Sequence, residues 1–391
     1  MKVAAPEVLA PFESIMRLER ELADILEKNG FAFVFVPTFA PLSNYSERIG
    51  DELQSAYITL VLEGEQVLRP EFTTSICRMV LDTPPLRDFA APLRLSYAGQ
   101  TFRVHRRPSL FPHERRQLGG EIFGAPPAEG DFEVLRLICE LLRQVGGEGF
   151  SLRLGHADLL DCVLRGLGAA RPDTGRIKRD LRRMAVHRKR LSAGNRMLVG
   201  LLPRLLTARG KRAGLDGVEA RCAAATEDPS GDLLLSLERE IVKREWELGG
   251  VPPRVVTFLD ELAGTGGSID HLRAWLIEGE DHDEARGIID YLELLIRRAG
   301  FAPDSAADRV SSNETAIAAS IDATIVRGVS YYSGLLFELA DNDGIGVGGG
   351  GRYDRLMALL GDDGDGRTAI GFALDLGHLA TIDASKEDGD G

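Results

Sequence analysis

The sequence is poor in cysteine, in uninterrupted apolar segments and in positive charge. Its four cysteines, Cys77, Cys139, Cys162 and Cys222, are far apart and include no CxxC pair. This spacing argues against both a disulfide framework and a thiolate zinc site. The chain also lacks an apolar run of about 18 residues, the length that a membrane-spanning helix requires. Its first residues lack the apolar block and cleavage site of a signal peptide. We therefore expect a cytoplasmic protein without a metal site.

The shortage of positive charge bears on the partners of the protein. The 391 residues include 47 basic and 60 acidic side chains, which gives a formal net charge of -13. A nucleic-acid-binding protein usually carries a basic footprint, because neutralised phosphates supply much of its affinity. The composition therefore argues against tRNA as a main partner, although it is compatible with a local basic patch.

The first part of the chain alternates between helical and strand patterns. Residues 12–28 carry apolar side chains at helical spacing, and Gly30 follows as a stop signal. Two apolar segments between 51 and 71 flank Glu63-Gly64, which predicts a hairpin. Further strands are predicted at 31–37, 93–104, 119–123 and 151–157, and a further helix at 132–145.

The pattern changes after Asp158. The chain is mostly helical as far as about Gly300, strand character returns at 323–340, and a glycine-rich turn is predicted at 344–351. Strands on both sides of a long helical stretch predict an α+β core with a helical insertion. We expect about six or seven antiparallel strands, with helices covering the sheet.

These patterns predict the boundaries of the domains. The core is expected at 1–160 and again at 316–382, with the mainly helical insertion between them at 161–315. The final residues, 383–391, are short, polar and acidic, and they are expected to form a disordered tail.

Several motifs follow one another in a fixed order. They are LRPEFTT (68–74), TFRVHRRPSLFPHERRQLGGEIFG (101–124), VRGVSYYSGLLFE (326–338), GGGGRYD (348–354) and IGFALDLGHL (370–379). Each motif alone is weak evidence, but their order is specific. In this order the chain resembles the catalytic domain of histidyl-tRNA synthetase over most of its length. The resemblance implies a class II aminoacyl-tRNA synthetase-like fold.

Two motifs depart from the pattern of a working synthetase. The last helix of a class II synthetase carries an arginine that grips the ATP phosphates, but here Gly377 and His378 occupy the glutamate and arginine positions. Histidine cannot offer the five-donor fork of guanidinium to phosphate oxygens. The FRxE pattern of the second motif reads Phe102-Arg103-Val104-His105 and lacks its acid. We therefore expect amino-acid binding without activation chemistry, and no catalytic residue.

A synthetase-like chain with these departures resembles the regulatory subunits of ATP phosphoribosyltransferase, the first enzyme of histidine biosynthesis. The resemblance implies a homodimer in a hetero-oligomer with a short catalytic subunit, which it activates and makes sensitive to histidine. It implies no cofactor and no anticodon-binding domain, since the sequence ends shortly after the last motif. The alternative is a truncated synthetase-like enzyme that forms histidyl-adenylate for another acceptor.

The resemblance also implies a histidine pocket. Strand alternation independently puts Gln117 and Glu121 on one face of a sheet. By resemblance, Glu71, Thr73 and Gln117 hold the ammonium group, and Glu121 faces the imidazole together with Tyr332 or its neighbour Tyr331. Arg327 would pair with the carboxylate, and Arg103 is a possible residual phosphate contact.

Structural explanations are also possible for two of these features. An isolated glutamate is usually an exposed member of a salt bridge, so Glu71 and Glu121 could be surface carboxylates. The dense basic segment at 176–190 could contact RNA or a phosphate. The acidity of the whole chain favours instead a solvated helix face with internal ion pairs, or a contact with a protein.

Overall fold

The chain divides into two compact units. The computed structural model describes residues 12–45, 58–62, 64–89, 92–103, 114–146, 149–192, 196–228, 230–265, 269–277, 282–303, 317–325, 331–361 and 367–387. Unit 1 comprises Met1–Leu154, Leu292–Ser320 and Arg327–Gly391, and unit 2 comprises Gly155–Tyr291 and Ile321–Val326.

The helices of the described residues follow in chain order. They are α1 (Phe12–Lys28), α2 (Thr73–Asp82), α3 (Pro84–Arg87), α4 (Pro127–Gln144), α5 (Leu159–Gly166), α6 (Arg171–Ser192), α7 (Arg196–Arg212), α8 (Val218–Ala225), α9 (Asp232–Leu248), α10 (Pro253–Thr265), α11 (Ile269–Ile277), α12 (Asp283–Ala299), α13 (Asp354–Leu359) and α14 (Leu376–Glu387). A short 3-10 helix covers Leu42–Tyr45. None of these helices, within the described ranges, is both long and apolar enough to cross a lipid bilayer.

Strands dominate unit 1. They are β1 (Ala32–Phe33), β2 (Phe39–Pro41), β3 (Thr59–Leu62), β4 (Gly64–Leu68), β5 (Leu93–Phe102), β6 (Glu114–Phe123), β7 (Phe150–His156), β8 (Ala302–Pro303), β9 (Ala318–Ile321), β10 (Leu335–Asp341), β11 (Gly346–Arg352) and β12 (Ala369–Asp375). The described strands form a nine-stranded sheet in the order β1-β5-β6-β12-β11-β10-β7-β9-β8, and a small sheet in the order β2-β4-β3. The α+β, class II synthetase-like architecture predicted from the sequence is confirmed.

The middle of the large sheet is antiparallel from β5 through β6, β12 and β11 to β10. Both of its short edge strands are parallel to their neighbours, β1 to β5 and β8 to β9. The prediction of six or seven strands was therefore too low, and the prediction that all of them are antiparallel was wrong for the two edge strands. A strand of two residues is too short to show an alternating pattern, so β1 and β8 are defined only by their partners.

Several predicted elements match the structure. Helix α1 has the predicted bounds, and Gly30 after it has a φ of 82°, the left-handed conformation that favours glycine at a helix end. The predicted hairpin is β3–β4, with Leu62 paired to Gly64. The predicted helix at 132–145 begins earlier, at Pro127, because proline fits the first turn of a helix.

The glycine-rich segment was wrongly predicted to be a turn. Residues Gly346–Arg352 form β11, which lies between β10 and β12 and is hydrogen-bonded to both. A Cβ on Gly350 would meet the backbone oxygen of Gly371 and the Phe337 ring. Glycine serves here for close packing between strands, which a local turn signal cannot reveal.

Other segments also differ from the sequence-based expectation. Only Ala32–Phe33 of the predicted strand at 31–37 pairs with a neighbour. Helix α14 continues to Glu387, and Asp383 pairs with Arg17 at 3.0 Å, so 383–387 are helical rather than disordered. Residues 388–391 lie outside the described residues.

Candidate functional site

A fully buried glutamate marks the centre of the site. Glu121 on β6 is 0% exposed, and its neighbours across the sheet are Leu95 on β5 and Gly371 on β12. The Thr73 hydroxyl donates to Oε1 of Glu121 at 2.8 Å, and the Tyr353 hydroxyl donates to Oε2 at 2.5 Å. Each carboxylate oxygen thus holds one hydroxyl donor and retains capacity for another.

Glycines clear the space around this carboxylate. A Cβ on Gly371 would coincide with Oε2 of Glu121, and a Cβ on Gly119 would collide with the Tyr97 hydroxyl and the backbone oxygen of Phe372. Both glycines lie on the same face of the sheet as Glu121, by the register of β6 with β12. The small residues therefore let the acid and its hydroxyl partner lie close to the backbone.

A second buried acid lies at the start of α2. Glu71 is 7% exposed, and its two carboxylate oxygens accept the Thr74 backbone N–H at 3.1 and 3.2 Å. The free N–H groups and the positive end of the helix dipole favour a carboxylate at this position. Because Thr73 occupies the first turn of the same helix, Glu71 and the Thr73 hydroxyl are fixed by one element.

Burial sets the protonation of both acids. Burial raises the pKa of Glu121 to about 8, against the hydroxyl donors Tyr353 and Thr73, which lower it, while the nearby charge of Glu71 raises it further. Burial also raises the pKa of Glu71, opposed by the hydrogen bonds from Thr74 and by the charge of Arg103. Among the described residues, the hydrogen-bond partners of the Glu121 carboxylate are hydroxyl groups, and no Lys, Arg or His forms an ion pair with it. Its buried charge therefore has hydroxyl partners but no counter-cation there.

Aromatic rings form one wall of the site. Tyr331 is buried, and its ring lies 5.1 Å from that of Tyr332 and 6.0 Å from that of Tyr353. Tyr332 is only half-buried. Phe72, directly before α2, stacks on Tyr97 of β5 at a centroid distance of 4.2 Å. The tyrosine that packs in the core is thus Tyr331, and Tyr332 is the more accessible of the pair.

An ion-pair cluster fixes the segment that carries Tyr353. Arg352 donates from Nε to Oδ1 of Asp131 at 2.9 Å and from Nη1 to Oδ1 of Asp354 at 3.0 Å. Asp354 in turn accepts the backbone N–H of Ala369 at 2.7 Å. A buried ion pair of this kind is worth little as net stability, but it fixes geometry when all its donors are satisfied. Here it fixes the turn from β11 into α13 and hence the position of the Tyr353 hydroxyl.

Gln117 lies on the same face of β6 as Glu121, four residues before it. Its cross-strand neighbours are Gly99 and Asp375. At the rise of a β-strand, four residues put the Cα atoms of Gln117 and Glu121 about 13 Å apart. Arg115, two residues before Gln117, pairs with Asp375 at 3.5 Å. Burial lowers the pKa of Arg115.

Arg103 follows the end of β5. Its Nε donates to the backbone oxygen of Pro70 at 2.7 Å, in the loop that leads to Glu71. It lies close enough to Glu71 and to Arg115 to influence the pKa of each. Arg103 therefore places a positive charge near the Glu71 carboxylate.

His378 lies in the first turn of α14. Its Nε2 is 2.7 Å from Oδ2 of Asp341 at the end of β10, and its backbone N–H donates to Asp375. The imidazole is thus bound by a carboxylate of the chain itself. A phosphate oxygen would have to compete with that carboxylate, which would also repel it.

The structure brings together Glu71, Thr73 and Glu121, with Gln117 on the same face and Tyr331 and Tyr332 beside them. Arg327 lies outside the described residues. The sequence interpretation named neither Tyr353 nor Tyr97 as a site residue. A signal for Tyr353 was present, since GGGGRYD was recognised as a motif, but only the register of the sheet shows that its tyrosine meets Glu121.

The basic segment at 176–190 forms part of α6 in unit 2. Lys178 pairs with Asp161 at 2.5 Å, Arg183 with Asp180 at 2.6 Å, and Nδ1 of His187 lies 2.9 Å from Glu238. Arg188 donates to the backbone oxygen of Ala263. These side chains are engaged within unit 2, which supports the interpretation of internal ion pairing over a phosphate contact.

Comparisons with known proteins agree with this geometry. The family model described as histidyl-tRNA synthetase matches residues 8–239 and 219–379. The chain is 26% identical over 371 residues to an ATP phosphoribosyltransferase regulatory subunit of Bacillus subtilis, covering 94% of this chain and 77% of that protein. It is 27% identical over 390 residues to a histidine–tRNA ligase of Thermococcus kodakarensis, covering 97% of this chain and 74% of the ligase.

Solved structures show the same fold. A crystal structure from Bacillus halodurans, described as an ATP phosphoribosyltransferase regulatory subunit/histidyl-tRNA synthetase, superposes with a TM-score of 0.63 at 20% identity, covering 98% of this chain and 81% of that one. Apo histidyl-tRNA synthetase of Staphylococcus aureus gives a TM-score of 0.52 at 18% identity, covering 99% and 74%. Because the family model spans nearly the whole sequence and carries the motifs that build the site, this chain belongs to the histidyl-tRNA synthetase family.

Proposed function

We propose that this protein is the regulatory subunit of an ATP phosphoribosyltransferase, the enzyme of the first step of histidine biosynthesis, and that it binds free histidine without activating it. A short catalytic subunit carries the chemistry and depends on this chain for activity and feedback control. The relatives named as such regulatory subunits support this proposal, as does their coverage of most of this chain.

The observation that carries the histidine part is Glu121. It is a buried carboxylate with a donor on each oxygen and no counter-cation among the described residues. A ligand with an N–H donor or a positive charge would complete it. The Glu71 carboxylate and Gln117 on the same side offer acceptors for an ammonium group, and Arg327 would bind the carboxylate.

The pair of His378 with Asp341 supports the absence of adenylation. Stabilisation of a transferring phosphoryl group depends on cations aimed at its oxygens. The position that would carry such a cation holds an imidazole already bound by a carboxylate. Histidine binding without ATP activation is the behaviour that this arrangement favours.

The decisive experiment is co-purification with a short ATP phosphoribosyltransferase subunit, followed by assay with and without histidine. We expect the catalytic subunit alone to be nearly inactive, the complex to be active, and histidine to inhibit the complex. Coupling between two sites typically amounts to about 1–3 kcal/mol, a change of several-fold to about a hundred-fold. A complex whose activity ignores both this chain and histidine would contradict the proposal.

A second candidate is an enzyme that forms histidyl-adenylate. Arg103, whose charge lies near Glu71 and whose Nε donates to the backbone oxygen of Pro70, is the observation that favours it. Histidine-dependent exchange of pyrophosphate into ATP separates the two functions. Robust exchange would support the enzyme, and its absence with histidine still bound would support the regulatory subunit.

A homodimer is part of the proposal. The edge strand β1 pairs only with β5 among the described strands, and three phenylalanines near it are exposed: Phe33 at 47%, Phe35 at 87% and Phe39 at 48%. An apolar cluster at an open sheet edge is a common interface between copies of a chain. Sedimentation of a Phe35→Lys variant tests this, with a shift from dimer to monomer expected.

A further inference from the structure

Glu121 differs from an ordinary ligand-binding carboxylate in what surrounds it. The groups that face it are Glu71 in the loop before α2, Cys77 on α2, Tyr97 on β5, and Tyr331 and Tyr353 on the segments that flank β10 and β11. Each of these is neutral or acidic. A second negative charge in such a place is unfavourable, because burial disfavours the charged form and the neighbouring acid adds to the effect.

The hydrogen bonds of Glu121 fix the orientation of its carboxyl group. Thr73 and Tyr353 each donate to a different oxygen, at 2.8 and 2.5 Å, and the Gly371 side of the carboxyl group is closed by backbone. The hydroxyl partners come from α2 and from the turn before α13, so they hold the carboxyl plane from two sides. A ligand ring that meets this carboxyl group therefore meets one already fixed in orientation.

We propose that Glu121 and the imidazole of the bound histidine share a single proton, so that the pocket holds the ring as an imidazolium–carboxylate pair. This inference rests on the proposed function, since it concerns how the same site recognises its ligand. The proton starts on the Glu121 carboxyl group and moves to the unprotonated ring nitrogen as the two meet. Nothing is exchanged with solvent, and the positive ring supplies the counter-cation that the buried carboxylate lacks.

The arrangement gives the ligand class a chemical definition. The side chain must be a ring nitrogen base that can take up a proton at neutral pH, with an N–H left to donate. The side-chain amides of asparagine and glutamine have a similar reach but cannot accept the proton. A pocket that requires proton uptake therefore rejects them more strongly than shape alone would.

Proton sharing also sets a pH window for binding. Below the pKa of the free imidazole, about 6.5, the ring arrives already protonated and Glu121 must first lose its proton. Above the pKa of Glu121, about 8 in the empty pocket, the carboxylate is ionised and a proton must be taken from solvent. Affinity is therefore highest between these values and falls on both sides, by up to about tenfold per pH unit.

The test combines calorimetry with NMR. Histidine is titrated into the full-length protein from about pH 5.5 to pH 9 in buffers of different ionisation enthalpy, which gives the number of protons exchanged. In parallel, 15N-labelled histidine is bound at about pH 8, where the free ring is neutral, and the shifts of its ring nitrogens report protonation. We expect an affinity maximum near neutral pH, almost no proton exchange there, and a doubly protonated bound ring.

The variants isolate the role of Glu121. Glu121→Gln keeps the shape and the acceptor for Tyr353 but cannot share a proton, so we expect at least about tenfold weaker binding and a neutral bound ring. The ammonium group of the ligand also titrates near the alkaline end, and its contribution remains in this variant and can be subtracted. The matched control is Glu129→Gln, because Glu129 is an exposed residue of α4. It should bind histidine as the wild type does.

The outcomes separate this inference from the proposed function. A neutral ring in the wild-type complex, or affinity that rises steadily with pH, would overturn proton sharing while histidine binding stands. Equal affinity of Glu121→Gln and wild type would overturn it as well, together with the assignment of the ring to Glu121. Failure of histidine to bind at any pH would overturn both the inference and the proposed function.

Discussion

The two units bury a glutamate in opposite ways. Glu121 in unit 1 is 0% exposed and, among the described residues, its carboxylate is hydrogen-bonded by hydroxyl groups, whereas Glu238 in unit 2 is 1% exposed and lies beside two arginines and a histidine. Nδ1 of His187 lies 2.9 Å from Glu238, Nε of Arg183 lies at 3.5 Å, and Nη1 of Arg209 lies at 4.0 Å. The acid in unit 2 has arginine counter-charges, and the acid in unit 1 has none among the described residues.

This difference distinguishes a structural acid from the acid that we propose binds the ligand. A buried charge with its counter-charges in place holds helices α6, α7 and α9 in register, and it has nothing left to offer a ligand. A buried acid without a counter-charge costs free energy in the empty protein, and a cationic ligand can recover that free energy on binding. Burial alone therefore does not point to a binding site, whereas burial without a counter-cation among the described residues is the feature on which our proposal rests.

The largest effect is expected in unit 2. Glu238→Ala leaves Arg183, Arg209 and His187 without their shared carboxylate, and breaking such a buried pair costs about 3–5 kcal/mol. Urea denaturation followed by circular dichroism measures the loss. Glu240→Ala is the matched control, because Glu240 forms a half-exposed pair with Arg221, worth about 0–1 kcal/mol. Equal losses of stability in the two variants would contradict a structural role for Glu238.

The next effect is on ligand binding. Glu121→Ala removes the acceptor for the ring, and we expect histidine affinity to fall by about 1–3 kcal/mol because a buried N–H is left unpaired. Isothermal calorimetry at neutral pH measures it. The stability of the empty protein should change far less than in Glu238→Ala. Unchanged affinity would show that Glu121 does not face the ligand.

A third effect concerns pH and the stability of the empty protein. The pKa of Glu121 is raised by burial from 4.5 to about 8 in the folded chain, so the folded state binds the extra proton between these values. The stability that this group contributes is complete below the lower value and is lost as the pH rises to about 8. The slope is at most about 1.4 kcal/mol per pH unit.

Chemical denaturation from about pH 5 to pH 8.5 measures this slope in wild type and in Glu121→Gln. The variant does not ionise, so its stability should fall less steeply with pH. Parallel pH profiles for the two proteins would mean that Glu121 keeps an ordinary pKa, and the contrast between the two buried acids would disappear.

The smallest effect comes from one hydroxyl. Tyr353→Phe removes the donor to Oε2 of Glu121 and should lower histidine affinity by about 0.5–1.5 kcal/mol, the worth of one hydrogen bond. It should also raise the pKa of Glu121 further, because the hydroxyl stabilises the ionised form. Calorimetry over the same pH range gives both quantities. If histidine affinity fell with rising pH in the same way in both proteins, Tyr353 would not affect the pKa of Glu121.

Much of unit 1 could be predicted from local patterns. The 3.6-residue spacing of apolar side chains defined α1, and alternation defined β5 and β7 near their observed bounds. Alternation also placed Gln117 and Glu121 on one face, which the pairing of β6 supports. These predictions worked because the period of a helix or a strand is written into consecutive residues.

Tertiary pairing decided what the local patterns could not. The run at Gly346–Arg352 favours a turn by composition, yet it is a strand because β10 and β12 provide its hydrogen bonds and leave no room for side chains. For the basic helix α6 the acidity of the chain favoured internal ion pairs, but the sequence could not name the partners. The structure pairs Lys178 with Asp161 and places His187 beside Glu238, 17 and 51 residues away along the chain. In both cases the deciding contacts come from other elements of the fold.

The sequence by itself determined the order of the motifs, the family and the identities of Glu71, Thr73 and Glu121 as candidates, because these depend on residue type and short-range period. Only the tertiary structure decided that Tyr353 and Thr73 converge on Glu121 while no cation of the described residues does. The physical reason is that burial and charge compensation depend on residues far apart in sequence. Whether an acid is solvated, neutralised or left for a ligand is thus a property of the packed chain.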